Sequence, residues 1–314
     1  MPLTATGTLV AELAQFGLLY FSGDDAQTFL QGQLSCDVAA LAPGQALYGS
    51  YNSPKGRMLA SFLLWRDDTG FMMQLPRTLC EAIRKRLTMY ILRSKVKARD
   101  ATGDFCLFGV AGANAPELLQ PLFPAIPAVP LMMTMGEQAS LLRLDDARFQ
   151  VIAAAERAAA IRDTLAAGAS FVDEAAWDLM NIRAGIPFIT PATQDQFVPQ
   201  MANLDLIGGV SFTKGCYPGQ EIVARMHYLG RLKQRMYLAN VAGDTVPQPG
   251  DKLYSASAGG QSTGMVVTAA PAPGGGYDML AVLQIANFEE GDARLAAPDG
   301  PRLKFLALPY KIAV

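Results

Sequence analysis

The chain has 314 residues, 51% hydrophobic and 17% charged, with a net charge of −2. That composition excludes a disordered chain, and the length is enough for two or three domains with real cores. The near-neutral balance gives no bulk reason to expect a nucleic-acid binder. The start, Met1-Pro2-Leu3-Thr4-Ala5-Thr6, lacks the basic region and long apolar core of a signal peptide. No apolar run is long enough to span a bilayer, so a soluble cytoplasmic protein with no membrane partner is expected.

Asp24 or Asp25 can cap a helix over Ala26–Gln33, with Phe29 and Leu30 on its apolar face. Ala46–Asn52 and Met58–Trp65 read as strands joined by Ser53-Pro54-Lys55-Gly56-Arg57, a hairpin-turn composition. Phe71–Leu75 is a third strand. Arg77–Leu92 is an amphipathic helix with Leu79, Ile83, Leu87, Tyr90 and Ile91 spaced to share a face. Ser94–Arg99 and Phe105–Val110 return as strands, and Ala115–Leu122 is a short helix ended by Pro124. Leu141–Leu144 and Phe149–Ala153 form a hairpin with Asp145-Asp146 near its turn. Glu156–Ala167 is an alanine-rich helix stopped by Gly168, and Asp173–Ala184 is another that ends at Gly185. The irregular stretch from Ile186 to Gly209 is long enough to suggest a functional loop.

Beyond Arg235 the chain becomes short strands with Gly and Pro punctuation: Met236–Val241, Lys252–Tyr254, Ser262–Thr268, Met279–Gln284 and Arg302–Leu306. A small β-barrel or sandwich is expected there, with a boundary near Arg231–Arg235. Strands and helices alternate before that boundary through hairpins rather than βαβ units, so the fold class is α+β with antiparallel sheets. No Walker A pattern is present, and no G-x-G-x-x-G follows a strand, so nucleotide cofactors are not indicated.

The four cysteines, Cys36, Cys80, Cys106 and Cys216, form no C-x-x-C pair, and His227 is the single histidine. Neither structural disulfides nor a protein-only metal site is expected. Chemistry concentrates in Lys214-Gly215-Cys216-Tyr217-Pro218-Gly219-Gln220-Glu221. Gly215 and Gly219 permit unusual backbone angles, Pro218 fixes one φ, and a helix follows. A helix N-terminus and a nearby lysine both favour a thiolate, which makes Cys216 the candidate reactive cysteine. Lys214 could lower the thiol pKa or pair with an anion; Glu221 could serve the helix dipole or orient Lys214. Arg225, Arg231, Lys233 and Arg235 form a basic cluster, and Lys55 and Arg57 are cations on the first hairpin turn. Either set is a solvated face or an anion site.

Four runs together resemble the signature of the YgfZ family: Gln196-Phe197-Val198-Pro199-Gln200, Asn203-Leu204, Gly208-Gly209-Val210-Ser211-Phe212, and Lys214 to Glu221 followed by Val223-Ala224-Arg225. Phe29-Leu30-Gln31-Gly32-Gln33, Lys55-Gly56-Arg57 and Ile182-Arg183-Ala184-Gly185-Ile186-Pro187 look like its other signatures, in the same order. That family is related to the glycine-cleavage T-protein. The resemblance implies a three-lobed T-protein-like fold: two α+β lobes and a C-terminal β-barrel around a central channel. It divides the chain into a folate-binding α+β region, 1–230, and a barrel domain, 231–314. It implies tetrahydrofolate as cofactor and iron–sulfur client or assembly proteins as partners, among them enzymes that modify tRNA. Direct nucleic-acid binding is not expected.

In this frame Cys216, Lys214 and Glu221 are the working groups. Phe16, Trp177 and Tyr217 are aromatic candidates for a folate ring, and Arg225, Lys55 and Arg57 are candidates for its anionic tail. The alternative is a tetrahydrofolate-dependent aminomethyltransferase of the glycine-cleavage type. Ala60-Ser61 stands where the T-protein has a paired Asp, and Arg183 where it has a pterin-binding Glu; both departures weigh against that alternative.

Overall fold

The computed structural model describes residues 7–136, 139–230 and 232–312. The chain divides into two compact units. Unit 1 comprises Met1–Phe29, Ala39–Leu47 and Leu63–Trp177; unit 2 comprises Leu30–Val38, Tyr48–Phe62 and Asp178–Val314.

In chain order the first elements are β1 (Thr8–Glu12), β2 (Phe16–Ser22), α1 (Ala26–Gln31), β3 (Ala46–Asn52), β4 (Met58–Arg66), β5 (Gly70–Pro76), α2 (Arg77–Thr88) and β6 (Lys97–Asp100). Within unit 1, β5 pairs antiparallel with Leu63–Arg66 of β4 and with β2, and β2 pairs with β6. Helix α2 buries Leu79, Cys80, Ile83 and Leu87 and packs on β2 and β6. It stops at Thr88, four residues earlier than the apolar spacing predicts, and Tyr90 is exposed. The amides of Tyr90 and Ile91 reach back three residues, to Leu87 and Thr88, so the chain tightens and turns away. Asp25 does not cap α1 with its side chain. Its carboxylate accepts the amide of Lys95 at 2.7 Å, and Asp24 pairs with the Lys95 ammonium.

The second sheet of unit 1 follows from β7 (Phe105–Ala111), α3 (Ala115–Leu119), β8 (Met133–Met135), β9 (Ala139–Arg143), β10 (Arg148–Ala154), α4 (Ala158–Ala166) and β11 (Ala169–Val172). Its order is β11-β1-β7-β10-β9-β8, antiparallel except for β1 with β11. Val10, Phe108, Val110, Phe149 and Val151 bury one face of it against Leu119 of α3 and Ile161 and Leu165 of α4.

Unit 2 begins its long stretch within α5 (Glu174–Arg183) and continues with α6 (Gln220–Tyr228), β12 (Gln234–Val241), β13 (Lys252–Tyr254), β14 (Ser262–Pro271), β15 (Tyr277–Gln284), α7 (Ile285–Glu289), β16 (Arg294–Leu295) and β17 (Leu303–Leu306). The last six strands form one antiparallel sheet, β16-β13-β14-β15-β12-β17, curled into a half-barrel. Register shifts at Leu253/Tyr254 and Val266/Thr268 supply the bend. Its inner face buries Tyr237, Leu253, Val266, Met279 and Leu295.

The irregular stretch after α5 is firmly held. Met58 N donates to Phe197 O and Asp195 N to Met58 O, so the stretch lies along the start of β4. Ser61 Oγ donates to Pro187 O and accepts from Ile189 N, and Gln194 donates to Leu59 O. Asn203, in the left-handed region at φ 58°, closes a short 3-10 turn and donates its amide to Met236 O at 2.7 Å. The buried polar groups of this loop therefore act as its fastenings.

Candidate functional site

The cysteine motif is a surface loop whose flanking residues are buried. Lys214 and Tyr217 are 8% and 6% exposed, whereas Cys216 between them is exposed. The Lys214 ammonium donates to the carbonyls of Gln31, Leu34 and Cys36 at 2.5, 2.6 and 3.0 Å. Three donors meet three acceptors, which saturates the group. The cation also lies 5.0 Å from the Tyr217 ring centroid. Burial lowers the Lys214 pKa, with the Cys36 thiol and Asp37 opposing the shift. Burial pushes the Tyr217 hydroxyl up to about 12. The sequence suggested that Lys214 serves the Cys216 sulfur or an anion; the structure directs its ammonium to the 31–36 backbone.

The other flank is fixed by two glycines. Gly219 precedes α6 at φ 76°, and Gly56 in the β3–β4 turn has φ 71°. A Cβ on Gly219 would fall 2.5 Å from both Gly56 Cα and Ser53 O, and one on Gly56 would fall 2.9 Å from Ile222 Cβ. The two backbones thus touch where no side chain fits. This contact brings Lys55 and Arg57 to the start of α6. Lys55 is exposed, and the Arg57 guanidinium donates to Gln196 O.

Glu221 is exposed in the first turn of α6, where a carboxylate complements the dipole, and Arg225 is exposed in the last turn. His227 is exposed and stacks on Phe212 at 3.7 Å between centroids. The basic cluster does not act as one. Arg235 is buried and doubly bonded to Asp205 at 2.7 and 3.1 Å, and it also donates to Gln200 O. Lys233 is exposed, and Arg231 lies outside the described residues. A cavity of about 610 Å³ opens there, lined in part by Gln200, His227, Lys233 and Glu289. Asn203 belongs to the family-like signature, whereas Asp205 carries no motif signal of its own, because its partner Arg235 lies 30 residues away.

Phe16 and Trp177 belong to unit 1. Phe16 lines a cavity of about 470 Å³ with Leu18, Phe105, Cys106 and Phe108. Trp177 is 2% exposed and packed in the core: a Cβ on Gly109 would fall 2.5 Å from its ring, and the Arg148 guanidinium lies 5.8 Å from the ring centroid. Arg183 pairs with the buried carboxylate of Asp278 at 2.8 Å.

The thiols differ sharply in setting. Burial pushes Cys36 and Cys80 up to about 12, with nearby acids adding to the shift and Lys214 and Arg77 opposing it. At pH 8 such a thiol is ionised in about one molecule in ten thousand. Iodoacetamide at pH 8 should therefore modify Cys216 while leaving Cys36 and Cys80 intact until the chain is unfolded. Peptide mass spectrometry reads this directly, and early labelling of Cys36 would contradict the burial described.

Residues 3–181 match the family model described as the GCVT N-terminal domain. The chain is 33% identical over 304 residues to the tRNA-modifying protein YgfZ of Klebsiella pneumoniae (strain 342), covering 96% of this chain and 92% of that protein. It is 32% identical over 320 residues to YgfZ of Yersinia pestis (strain Pestoides F), covering 99% and 96%. Among solved structures, the glycine cleavage system aminomethyltransferase T from Bartonella henselae superposes with a TM-score of 0.80 at 17% identity, covering 96% of this chain and 86% of that one. That likeness establishes a T-protein-like fold, as the α+β reading with antiparallel sheets expected. With near full-length identity to proteins of that name and the T-protein-type N-terminal domain, the chain belongs to the YgfZ family of tRNA-modifying proteins.

Proposed function

We propose that this protein is a cytoplasmic folate-binding factor that sustains iron–sulfur clusters in client enzymes, including tRNA-modifying ones, with Cys216 as its working thiol. One observation carries the reading: an exposed sulfur stands on a segment whose neighbours, Lys214 and Tyr217, are buried. A fixed, accessible thiol suits exchange with a partner. Clusters take four ligands, so one cysteine supplies one of them and the client or assembly protein supplies the rest. Tetrahydrofolate is the ligand suggested by the T-protein-type fold. Lys55, Arg57 and Arg225 are cations available to its glutamate tail.

The alternative, an aminomethyltransferase of glycine cleavage, draws on the same fold. Ser61, where the T-protein is expected to carry an acid, bonds Pro187 O and Ile189 N instead. Arg183, where a pterin-binding Glu is expected, is paired with Asp278. A carboxylate able to take a proton is therefore replaced at both positions by groups engaged in structure. Anaerobic titration with tetrahydrofolate should show saturable binding, while reconstitution with the other glycine-cleavage components should yield no methylene-folate. Robust methylene-folate production would establish the alternative, and failure to bind folate would overturn the proposal.

A further inference from the structure

Asn52 is 1% exposed, and both its Nδ2 and Oδ1 are buried without a hydrogen-bond partner. The contrast with Gln200 is informative. That residue lacks one bond at Oε1 but donates its Nε2 to Val223 O at 2.7 Å. Asn52 lacks both. Burying an amide with neither bond costs a few kcal/mol, and native chains rarely leave such a group without a reason. A leucine has nearly the same shape and carries no such cost.

Its position connects this amide to the cysteine motif. Two residues earlier on β3, Ser50 meets Ser35: Ser50 N and Oγ both donate to Ser35 Oγ, at 2.8 and 3.0 Å. Ser35 Oγ in turn donates to Gly209 O, and Ser35 O accepts from Ser211 N. One residue later, in the turn that follows β3, Ser53 O lies against Gly219. The chain from Ser211 to Gly219, which carries Lys214, Cys216 and Tyr217, is thus fastened to β3 and its turn on both sides of Asn52. Ser50 to Ser53 spans about 10 Å in an extended strand, whereas eight residues can reach about 27 Å. The motif segment therefore has slack between its fastenings, and Asn52 lies between them in the chain.

A carboxamide offers a donor and an acceptor side by side. Its complement is another amide edge with N–H and C=O adjacent, a lactam, which forms two parallel hydrogen bonds with it. We infer that Asn52 is a ligand-reading residue of the Cys216 site and takes the lactam edge of its ligand. This rests on the folate reading, in which the edge is the N3–H and C4=O of the pterin ring. Neither amide atom meets solvent, so entry follows a local opening of the surrounding side chains. Once inside, both bonds form in a dry site, where an unmade bond is costly.

The test uses the full chain, 5-formyltetrahydrofolate as probe, calorimetric titration and thermal unfolding without ligand. Asn52→Leu should raise the ligand-free Tm, because it removes a buried unsatisfied amide. It should also weaken binding about a hundredfold, the loss of two neutral hydrogen bonds. Asn52→Ala should weaken binding comparably and serves if the leucine variant does not fold. Binding within threefold of wild type in either variant overturns the inference alone. A lower ligand-free Tm for Asn52→Leu also overturns it, since the amide would then be satisfied within the fold. No binding by the wild-type chain overturns the folate reading and this inference with it.

Discussion

Cys216→Ala should abolish the rescue of iron–sulfur client activity in a strain lacking the protein, while leaving the fold intact. The sulfur is exposed, so the substitution removes almost no packing, and a stability change within about 0.5 kcal/mol is expected. Urea unfolding and the Tm should match wild type. Client turnover and the level of the client's tRNA modification should fall at least tenfold toward those of the null strain. Serine at the same position should fail as well, because a hydroxyl is a far poorer ligand for cluster iron than a thiolate and does not exchange with disulfides. Wild-type rescue by the alanine variant would remove Cys216 from the mechanism, whatever becomes of folate.

Gly219→Ala should produce the largest loss of stability among single substitutions around the motif. The residue sits at φ 76°, and its new Cβ would meet Gly56 Cα and Ser53 O at 2.5 Å, both backbone atoms that cannot rotate aside. Left-handed strain contributes about 1 kcal/mol and overpacking about 1–3 more, giving about 3 kcal/mol in all. For units of this size that corresponds to a drop in Tm of roughly 6–12 °C. Gly208→Ala is the control. It has φ 77° but no atom within 4 Å of its Cβ, so strain acts alone and about 1 kcal/mol is expected. Equal effects at the two positions in urea melts would mean that the Gly56–Gly219 contact contributes nothing. The Gly219 variant should also lose rescue, because the contact fixes one end of the Cys216 segment.

Local signals account for what could be read directly. Strands β3, β4 and β5 are legible as short runs rich in apolar and aromatic residues bounded by turn-forming ones, a signal that acts over neighbouring residues. The motif's glycines, proline and following helix indicate a constrained loop with a candidate reactive cysteine, whose exposure only the structure shows. Strand β2 carries no period-2 signal, because Phe16–Ser22 is buried on both faces and mostly apolar. The apolar spacing outruns the end of α2, because Tyr90 and Ile91 keep the helical period after the backbone has turned.

The direction of Lys214 illustrates the larger limit. Beside Cys216 in sequence, it reads naturally as a cation for the sulfur. Its acceptors lie 178 to 183 residues away, on a backbone segment with no charged signature of its own. Arg235 behaves likewise, read as a surface cation and found bonded to Asp205. Fold class, family resemblance and the candidate cysteine are legible in the residues alone, because residue periodicity and a dense motif carry that information locally. Tertiary structure alone decided which flanking groups hold the thiol, which cations remain free and which amide, Asn52, is left unpaired. Those outcomes depend on hydrogen-bond partners and close backbone approaches that the chain meets only after it has folded back on itself.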